Sequence, residues 1–257
     1  PKIFKQYVYS AKVPDSLQLP NLSRISDIKS GINGTTFLFS ASGKSEKMEM
    51  PLIGEFNIYN AAAAICVALS QNIPMARIKK TLAEIKPVPG RMEIVKKDDF
   101  TVIVDYAHEP ASLEAAYKAV EKLKVKSSEL ICLLGGQGGG RDKWKRPEMG
   151  KIAAKYCDKI ILTNEDPYDE DPNQIINDVE QGIRVNPRNN PRKSAPVYKI
   201  VDRREAIKKA ISLAKKGDVV ILTGKGGEVW MCVEDGKKIP WDERKIVEEI
   251  IKSTNSE

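Results

Sequence analysis

The chain has 257 residues, with 42 Lys or Arg against 35 Asp or Glu, so its formal net charge is +7. Hydrophobic residues make up 41% and charged residues 30%, as in a soluble globular protein, and no apolar run approaches the ~20 residues of a membrane helix. One histidine and four widely spaced cysteines argue against a zinc site and for the reducing cytoplasm, while basic residues interleaved with acidic ones argue against nucleic-acid binding.

Strands followed by two helices are predicted for the first part of the chain. Alternating or β-branched residues predict strands at residues 4–10, 35–40 and 47–53. Apolar residues at helical spacing predict helices at residues 57–69 and 75–85. The Pro-rich segment 86–90 (KPVPG) cannot continue a helix, so we expect a domain boundary there, between residues 1–89 and 90–257.

Strands and helices alternate after residue 90. Continuous apolar runs predict strands buried on both faces at residues 100–105, 130–135, 159–163, 197–201 and 218–223. Helices are predicted between them at residues 110–123, 147–157, 172–183 and 203–215, followed by an antiparallel edge strand at 228–234 and a closing helix at 242–253. Such repeated units predict an α/β fold, a doubly wound, mostly parallel Rossmann-like sheet that binds ligands at the carboxyl ends of its strands.

Two segments of the first part resemble ATP phosphate loops without completing one. Residues 42–45 read Ser-Gly-Lys-Ser, but Leu38 occupies the position five before Gly43 where such a loop requires glycine. Residues 31–36 (GINGTT) lack the lysine, and a strand rather than a helix follows them. Both segments therefore predict hairpin turns.

The chemically distinctive residues of the second part follow predicted strands. The glycine-rich loop 135–140 precedes Arg141, whose guanidinium suits an anion, although a long flexible crossover has the same composition. Residues 164–172 hold five acids, which fit either a metal site or a solvated turn before a helix. Residues 224–228 (GKGGE) end in a carboxylate that suits an amine. No loop carries G-x-G-x-x-G with its acidic partner, which argues against a nicotinamide-dependent oxidoreductase.

Six segments, taken together and in order, resemble the Mur ligases, and within that family the enzymes that add the third residue of the peptidoglycan stem peptide. The segments are residues 54–62 (GEFNIYNAA), 88–93 (VPGRME), 104–110 (VDYAHEP), 139–147 (GGRD and KRP), 170–172 (EDP) and 224–226 (GKG). The resemblance implies that residues 1–89 are the tail, strands plus helices, of a P-loop-type central ATPase domain. Residues 90–257 then form the family's C-terminal amino-acid-binding domain.

The resemblance implies an ATP- and Mg²⁺-dependent ligase that joins an amine to a carboxylate through an acyl phosphate. Its implied partners are ATP, UDP-N-acetylmuramoyl dipeptide and a diamino acid, with no nucleic acid and no membrane, and we expect a cytoplasmic monomer. The phosphate loop, the magnesium-binding acids and a carbamylated lysine are implied to lie upstream of Pro1, so no catalytic or metal-binding residue is expected here and the chain alone should be inactive. A related Mur-type or folylpolyglutamate-type ligase and a non-catalytic binding module are the alternatives.

Five nucleotide-binding residues follow from the resemblance. Asn57 and Asn60 match the family's asparagines near the adenine, and Arg91 matches the arginine that reaches an ATP phosphate. Asp105 matches the aspartate near the ribose, and His108 matches a histidine near the nucleotide. Without the resemblance, a lone histidine such as His108 is more typical of a structural role.

Five amino-acid-binding residues follow in the same way. Arg141 matches the arginine that binds the α-carboxylate, and Gly224 and Glu228 match the pair at the far end of a diamino acid, with Glu228 taking its ammonium. Diaminopimelate-adding members carry Asp-Asn-Pro-Arg where residues 165–168 read Glu-Asp-Pro-Tyr. Tyr168 lacks the charge for the second carboxylate of diaminopimelate, and Asp166 resembles the lysine-adding members, so we predict lysine as the substrate. Residue 227 is glycine where the family usually has histidine.

Overall fold

The computed structural model describes residues 8–10, 22–41, 43–125, 127–140, 142–184 and 195–254. The chain divides into two units, Pro1–Pro87 and Val88–Glu257, and the division falls within the Pro-rich segment 86–90. Within the described ranges, none of the helices combines the length and the apolar character needed to cross a membrane.

The first unit contains a four-stranded sheet in the order β1-β2-β3-β4, in which only β1 and β2 are parallel, and two helices. Its elements are β1 (Val8–Ser10), β2 (Leu22–Gly31), β3 (Gly34–Ala41), β4 (Lys44–Met50), α1 (Phe56–Ser70) and α2 (Met75–Glu84). Alternate residues of β3 are buried, and Phe37 and Phe39 pack with Ile58 and Ile65 of α1 in one core. Strand β2 was not predicted, because its sequence is mostly polar and its pairing with β3 is interrupted by a bulge after Ser26.

Both glycine-containing segments of the first unit are hairpin turns, as predicted. Gly31 pairs with Gly34 where β2 turns into β3, and Ala41 pairs with Lys44 where β3 turns into β4, although Ser42 lies outside the described residues. Neither segment precedes a helix. A phosphate loop needs a helix N-terminus to bind its anion, so neither turn has that geometry.

The second unit contains a six-stranded sheet in the order β5-β6-β10-β7-β8-β9, flanked by helices, and a separate two-stranded ribbon of β11 and β12. Its elements are β5 (Glu93–Lys97), β6 (Thr101–Val104), α3 (Pro110–Glu121), β7 (Leu130–Leu134), α4 (Lys145–Tyr156), β8 (Lys159–Leu162), α5 (Pro172–Arg184), β9 (Val197–Lys199), α6 (Arg203–Ser212), β10 (Val219–Leu222), β11 (Trp230–Cys232), a 3₁₀ helix (Glu234–Gly236), β12 (Lys238–Pro240) and α7 (Glu243–Thr254). All strand pairs of the six-stranded sheet are parallel except β5 with β6.

The predicted doubly wound, mostly parallel α/β sheet is confirmed. Every residue of β6, β7 and β10 is buried, as expected for central strands covered by helices on both faces. The carboxyl ends of β6, β7, β8 and β10 lie along one edge of the sheet, and the loops that follow them contain the residues predicted to bind ligands.

The prediction of a sheet-edge strand at residues 228–234 was wrong. Within this range only β11 forms, and it pairs with β12 instead of the main sheet. The antiparallel edge strand is β5, whose sequence Glu-Ile-Val-Lys-Lys carries too little apolar character to be recognised as a strand.

The structure also contains a disulfide that the sequence analysis, with its expectation of reduced cysteines, did not predict. It joins Cys132 of β7 to Cys157, which follows α4, and the two Cα atoms are 5.9 Å apart. Both residues are fully buried, whereas Cys66 and Cys232 are free. The 25-residue separation gave no signal of this pairing, because the cysteines meet only when α4 packs back onto the sheet.

Candidate functional site

A cavity of about 450 Å³ opens in the second unit beside the carboxyl ends of the parallel strands. Its lining residues are Tyr106 and His108 after β6, Gln137 after β7, Asp166 and Tyr168 after β8, Gly227, Glu228, Val229 and Trp230 after β10, and Cys232 and Lys238 of the ribbon. Three predicted amino-acid-binding residues, Asp166, Tyr168 and Glu228, therefore lie around one cavity. His108, predicted near the nucleotide, lines it as well.

A buried lysine holds the two acidic residues of this cavity. The Lys225 ammonium is 2.9 Å from Oδ1 of Asp166 and 2.6 Å from Oε2 of Glu228, and its side chain is fully buried. A buried ammonium requires such pairing, and in return it fixes the direction of both carboxylates. Lys225 was not among the predicted site residues. The GKG segment contained it, but only the folded loops bring the two acids to it.

Further hydrogen bonds hold the carboxylates of Asp166 and Glu228 in place. The Tyr106 hydroxyl donates to Oε1 of Glu228 at 2.7 Å, and the backbone N–H of Cys232 donates to Oδ1 of Asp166, also at 2.7 Å. Burial, and after it the bond to Glu228, raises the pKa of Tyr106 to about 12. Tyr106 therefore remains a hydrogen-bond donor at neutral pH.

Glu165 lies next to this cluster but makes none of these bonds. Its carboxylate is fully buried, and neither oxygen has a hydrogen-bond partner. A Cβ on Gly224 would lie 2.3 Å from Oε2 of Glu165, so only glycine at position 224 leaves room for this carboxylate. Burial raises the pKa of Glu165 to about 7. The lining residues of the cavity do not include Gly224, which was predicted to contact the amino acid; its visible role is to accommodate Glu165.

Arg91, Tyr106 and His108 form a stack at the start of the second unit. The Arg91 guanidinium carbon is 4.3 Å from the centre of the Tyr106 ring, and the His108 ring meets that ring edge-on at 4.6 Å between centres. Nδ1 of His108 is 2.8 Å from the carbonyl oxygen of Tyr106. Since a carbonyl only accepts, Nδ1 is the donor in this contact.

Asp105 joins the turn that carries Arg91 to the end of β6. Its Oδ2 accepts from the N–H of Met92 at 2.7 Å, and its Oδ1 accepts from the N–H of Ala107 at 2.8 Å. Burial raises the pKa of this carboxyl above its ordinary value, against the effect of the two backbone bonds. A carboxylate oxygen can accept more than one hydrogen bond, so these two bonds do not use up the acceptor capacity of Asp105.

The turn at residues 89–90 and the loop after β10 are in direct backbone contact. A Cβ on Gly90 would lie 1.8 Å from the nitrogen of Gly227, and a Cβ on Gly227 would lie 2.8 Å from the carbonyl oxygen of Pro89. The glycine at position 227, a departure from the usual family histidine, therefore leaves no side chain between the two segments.

The glycine-rich loop after β7 is held by hydrogen bonds from its backbone to the loop after β8. The N–H of Gly138 donates to the carbonyl of Asp166 at 2.8 Å, and the N–H of Gly140 donates to Oε1 of Glu170 at 2.7 Å. Arg146, nearly fully buried, donates to Oε2 of Glu170 at 3.0 Å. The hydrogen bond from Gly140, followed by those from Lys143 and Arg146, lowers the pKa of Glu170 to about 2. Arg141 itself lies outside the described residues, so its position relative to Glu228 stays a prediction.

The predicted adenine-binding residues lie in the first unit. Asn57 donates from Nδ2 to the carbonyl of Ile53 at 2.8 Å, and Asn60 donates to Oδ1 of Asn57 at 3.1 Å. The structure thus brings these two side chains together near the start of α1.

The described residues contain no cluster of ligands suited to a magnesium ion. In the parts of the chain that the structure covers, no group of three or more His, Cys, Asp or Glu side chains is arranged to hold a metal ion. In the acidic segment 164–172, Asp166 pairs with Lys225 and Glu170 pairs with Arg146. Asp171 accepts a hydrogen bond from the N–H of Asn173 at the start of α5. This segment is the turn before a helix, one of the two alternatives drawn from its sequence.

Comparison with known proteins finds two domain models that match parts of the chain. The Mur ligase middle domain matches residues 6–68, and the Mur ligase glutamate ligase domain matches residues 90–226. UDP-N-acetylmuramoyl-L-alanyl-D-glutamate–2,6-diaminopimelate ligases of Caldanaerobacter subterraneus and Aquifex aeolicus are 41% identical over 226 residues and 40% identical over 228 residues. These alignments cover 88% and 89% of this chain but 44% and 45% of the relatives. The chain thus spans less than half the length of these curated relatives.

Solved structures agree with this assignment. A structure of a UDP-N-acetylmuramoyl-L-alanyl-D-glutamate–2,6-diaminopimelate ligase is 30% identical, with a TM-score of 0.64 over 96% of this chain and 47% of that one. A UDP-N-acetylmuramate-alanine ligase of Thermotoga maritima, 17% identical, has the same fold with a TM-score of 0.65 over 91% of this chain and 46% of that one. The Mur ligase glutamate ligase domain matches more than half of the residues of this chain. The chain therefore belongs to the Mur ligase family.

Proposed function

We propose that this chain is the amino-acid-binding part of a cytoplasmic ATP-dependent ligase of peptidoglycan synthesis. Residues 90–257 form its amino-acid-binding domain, and residues 1–89 the end of its ATPase domain. The ligase adds a diamino acid to UDP-N-acetylmuramoyl-L-alanyl-D-glutamate through an acyl phosphate. The observation that carries the proposal is the pair of carboxylates, Asp166 and Glu228, fixed by Lys225 beside a cavity at the carboxyl ends of the strands. The names of the relatives support the reaction.

Glu228 is the residue we assign to the side-chain ammonium of the diamino acid. One third of its side chain is exposed, whereas Asp166 is almost completely buried. Tyr106 and Lys225 each occupy one oxygen of Glu228, which fixes the carboxylate without covering it. A prearranged carboxylate binds an ammonium with little further ordering, so affinity is gained by preorganisation. Arg141 is assigned to the α-carboxylate from the family resemblance.

ATP supplies the phosphoryl group that activates the acceptor carboxylate in this proposal. Arg91, exposed and stacked on Tyr106, suits a phosphate, and Asp105 retains lone pairs for a ribose hydroxyl. Asn57 and Asn60 are assigned to the adenine. Mg²⁺ has no described ligands, and we assign none of its chemistry to this chain.

The third partner is either lysine or 2,6-diaminopimelate. The names of the relatives favour diaminopimelate, whereas Tyr168, in place of the arginine of diaminopimelate-adding members, favours lysine. Both substrates offer an ammonium to Glu228, and they differ by one carboxylate at the far end.

The test is ATP consumption by the full-length ligase that contains these residues. With UDP-N-acetylmuramoyl-L-alanyl-D-glutamate we expect ADP release to depend on a diamino acid. Glu228→Gln should raise the KM for that amino acid by about tenfold or more, because a charge-assisted hydrogen bond is lost, and should leave the KM for ATP unchanged. Glu249→Gln, which neutralises an exposed acid on α7, is the matched control. Absence of ADP release with every diamino acid tried would refute the proposal.

A further inference from the structure

Lys238 is the only lysine or arginine among the described residues that line the cavity. Around the same space lie the carboxylates of Asp166 and Glu228, with one buried cation, Lys225, between them. Tyr168 also lines the cavity and brings no charge. Among the described residues, Lys238 of the ribbon is therefore the lining cation that can bind a ligand in this cavity.

The backbone of the ribbon fixes where Lys238 lies. Lys238 is directly opposite Cys232 in the antiparallel pairing of β11 with β12. The backbone of Cys232 is bound to the loop after β8, its N–H to Asp166 at 2.7 Å and its carbonyl to the N–H of Tyr168 at 3.3 Å. Directly opposite residues point to the same face of a ribbon, roughly 5 Å apart at Cβ. Lys238 thus projects from beside the 166–168 loop, and both it and Cys232 line the cavity.

The two neighbouring lysines of the ribbon differ in their partners. The Lys237 ammonium is 3.1 Å from Asp235, with both side chains exposed. For Lys238, no carboxylate of the described part of the chain lies within ion-pair distance, and the side chain is exposed at the rim of the cavity. Its charge is therefore available for an anionic group of a ligand, whereas that of Lys237 is already paired.

We propose that Lys238 binds the second carboxylate of 2,6-diaminopimelate and so makes this enzyme selective for diaminopimelate although residue 168 is tyrosine. The inference rests on the proposed function. The far end of diaminopimelate carries an ammonium for Glu228 and a carboxylate for Lys238, matching the two exposed charges. Lysine offers only an ammonium, which gains nothing from Lys238 and is repelled by it.

The test compares kcat/KM for meso-diaminopimelate and L-lysine in the full-length ligase. We expect the unmodified enzyme to prefer diaminopimelate, and Lys238→Gln to lower kcat/KM for diaminopimelate by about tenfold while that for lysine stays the same or rises. Lys238→Arg should keep the preference, which separates loss of charge from damage to the ribbon. Lys237→Gln, one residue away and outside the cavity lining, should change neither value.

An unchanged ratio in Lys238→Gln overturns the inference, as does an unmodified enzyme that prefers lysine, the outcome predicted from Tyr168. The failure of the proposed function looks different, because then neither diamino acid supports ADP release in any variant. Far-UV circular dichroism of each variant checks that the ribbon substitutions leave the fold intact.

Discussion

Glu165 makes the stability of this protein depend on pH. Its carboxylate is buried without a hydrogen bond, and burial raises its pKa from 4.5 to about 7. The folded chain therefore binds this proton more tightly than the unfolded chain, so stability falls as the pH rises from about 4.5 to 7 and is then level. A tenfold change in proton affinity is worth about 1.4 kcal/mol, which gives a loss of roughly 3 kcal/mol.

Glu165→Gln should remove this loss. In urea unfolding we expect the variant to exceed the unmodified protein by roughly 3 kcal/mol near pH 8 and by much less near pH 5. Glu249→Gln changes an exposed acid, so its effect should be small and similar at both pH values. Equal gains at both pH values for Glu165→Gln would show that the carboxylate is not held protonated by the fold.

A site residue was predictable where the residues next to it in the sequence form a recognisable strand or motif. Asp166, Tyr168 and Glu228 each follow a strand at positions that align with binding residues of the family, and all three line one cavity. Lys225 and Lys238 were missed, because their importance comes from partners and openings distant in the chain. Pairing through space leaves no trace in local composition.

The glycine loop and the loop after β8 act as one element. Gly138 contacts Pro167 so closely that a Cβ would lie 1.9 Å from its carbonyl oxygen. Gly138→Ala must therefore separate the two loops, and we expect a loss of roughly 1–3 kcal/mol in unfolding free energy, as for other overpacked sites. Because the 166–168 loop borders the cavity, the KM for the diamino acid should rise as well. Gly31→Ala, with no atom near its added Cβ, is the control and should leave both measurements unchanged.

The central strands of the second unit were predictable from their continuous apolar sequences, whereas its edge strand β5 and the pairing of β11 with β12 were not. Strands β6, β7, β8 and β10 are buried on both faces, so burial requires runs of Val, Ile and Leu that stand out in the sequence. Strand β5 lies at the edge and keeps charged residues, while β11 and β12 are three residues each. Their pairing is decided by the fold around them rather than by their own composition.

At the scale of the whole chain, the second unit has what an independent domain needs. Its sheet and the helices α6 and α7 share one core that includes residues of β6, β7, β8 and β10. Arg203 of α6 and Glu243 of α7 form a fully buried ion pair, and Arg203 also donates to the carbonyls of Asn164 and Thr223. These contacts lie entirely within residues 88–257.

We therefore expect residues 88–257 to fold when produced alone. Circular dichroism should show a single cooperative thermal transition, at a temperature close to one of the transitions of the 257-residue chain. A chain of residues 1–87 produced in the same way serves as the comparison. If residues 88–257 show no cooperative transition, the division of the chain near residue 87 does not mark an independent folding unit.

The contact of Gly90 with Gly227 has a mechanical consequence. Side chains that lie between two backbone segments can change rotamer, so one segment can move slightly without moving the other. Here two main chains touch directly, so neither can be pushed without moving the other. A ligand that displaces the segment before Glu228 will therefore also displace residues 89–90, at the start of the second unit.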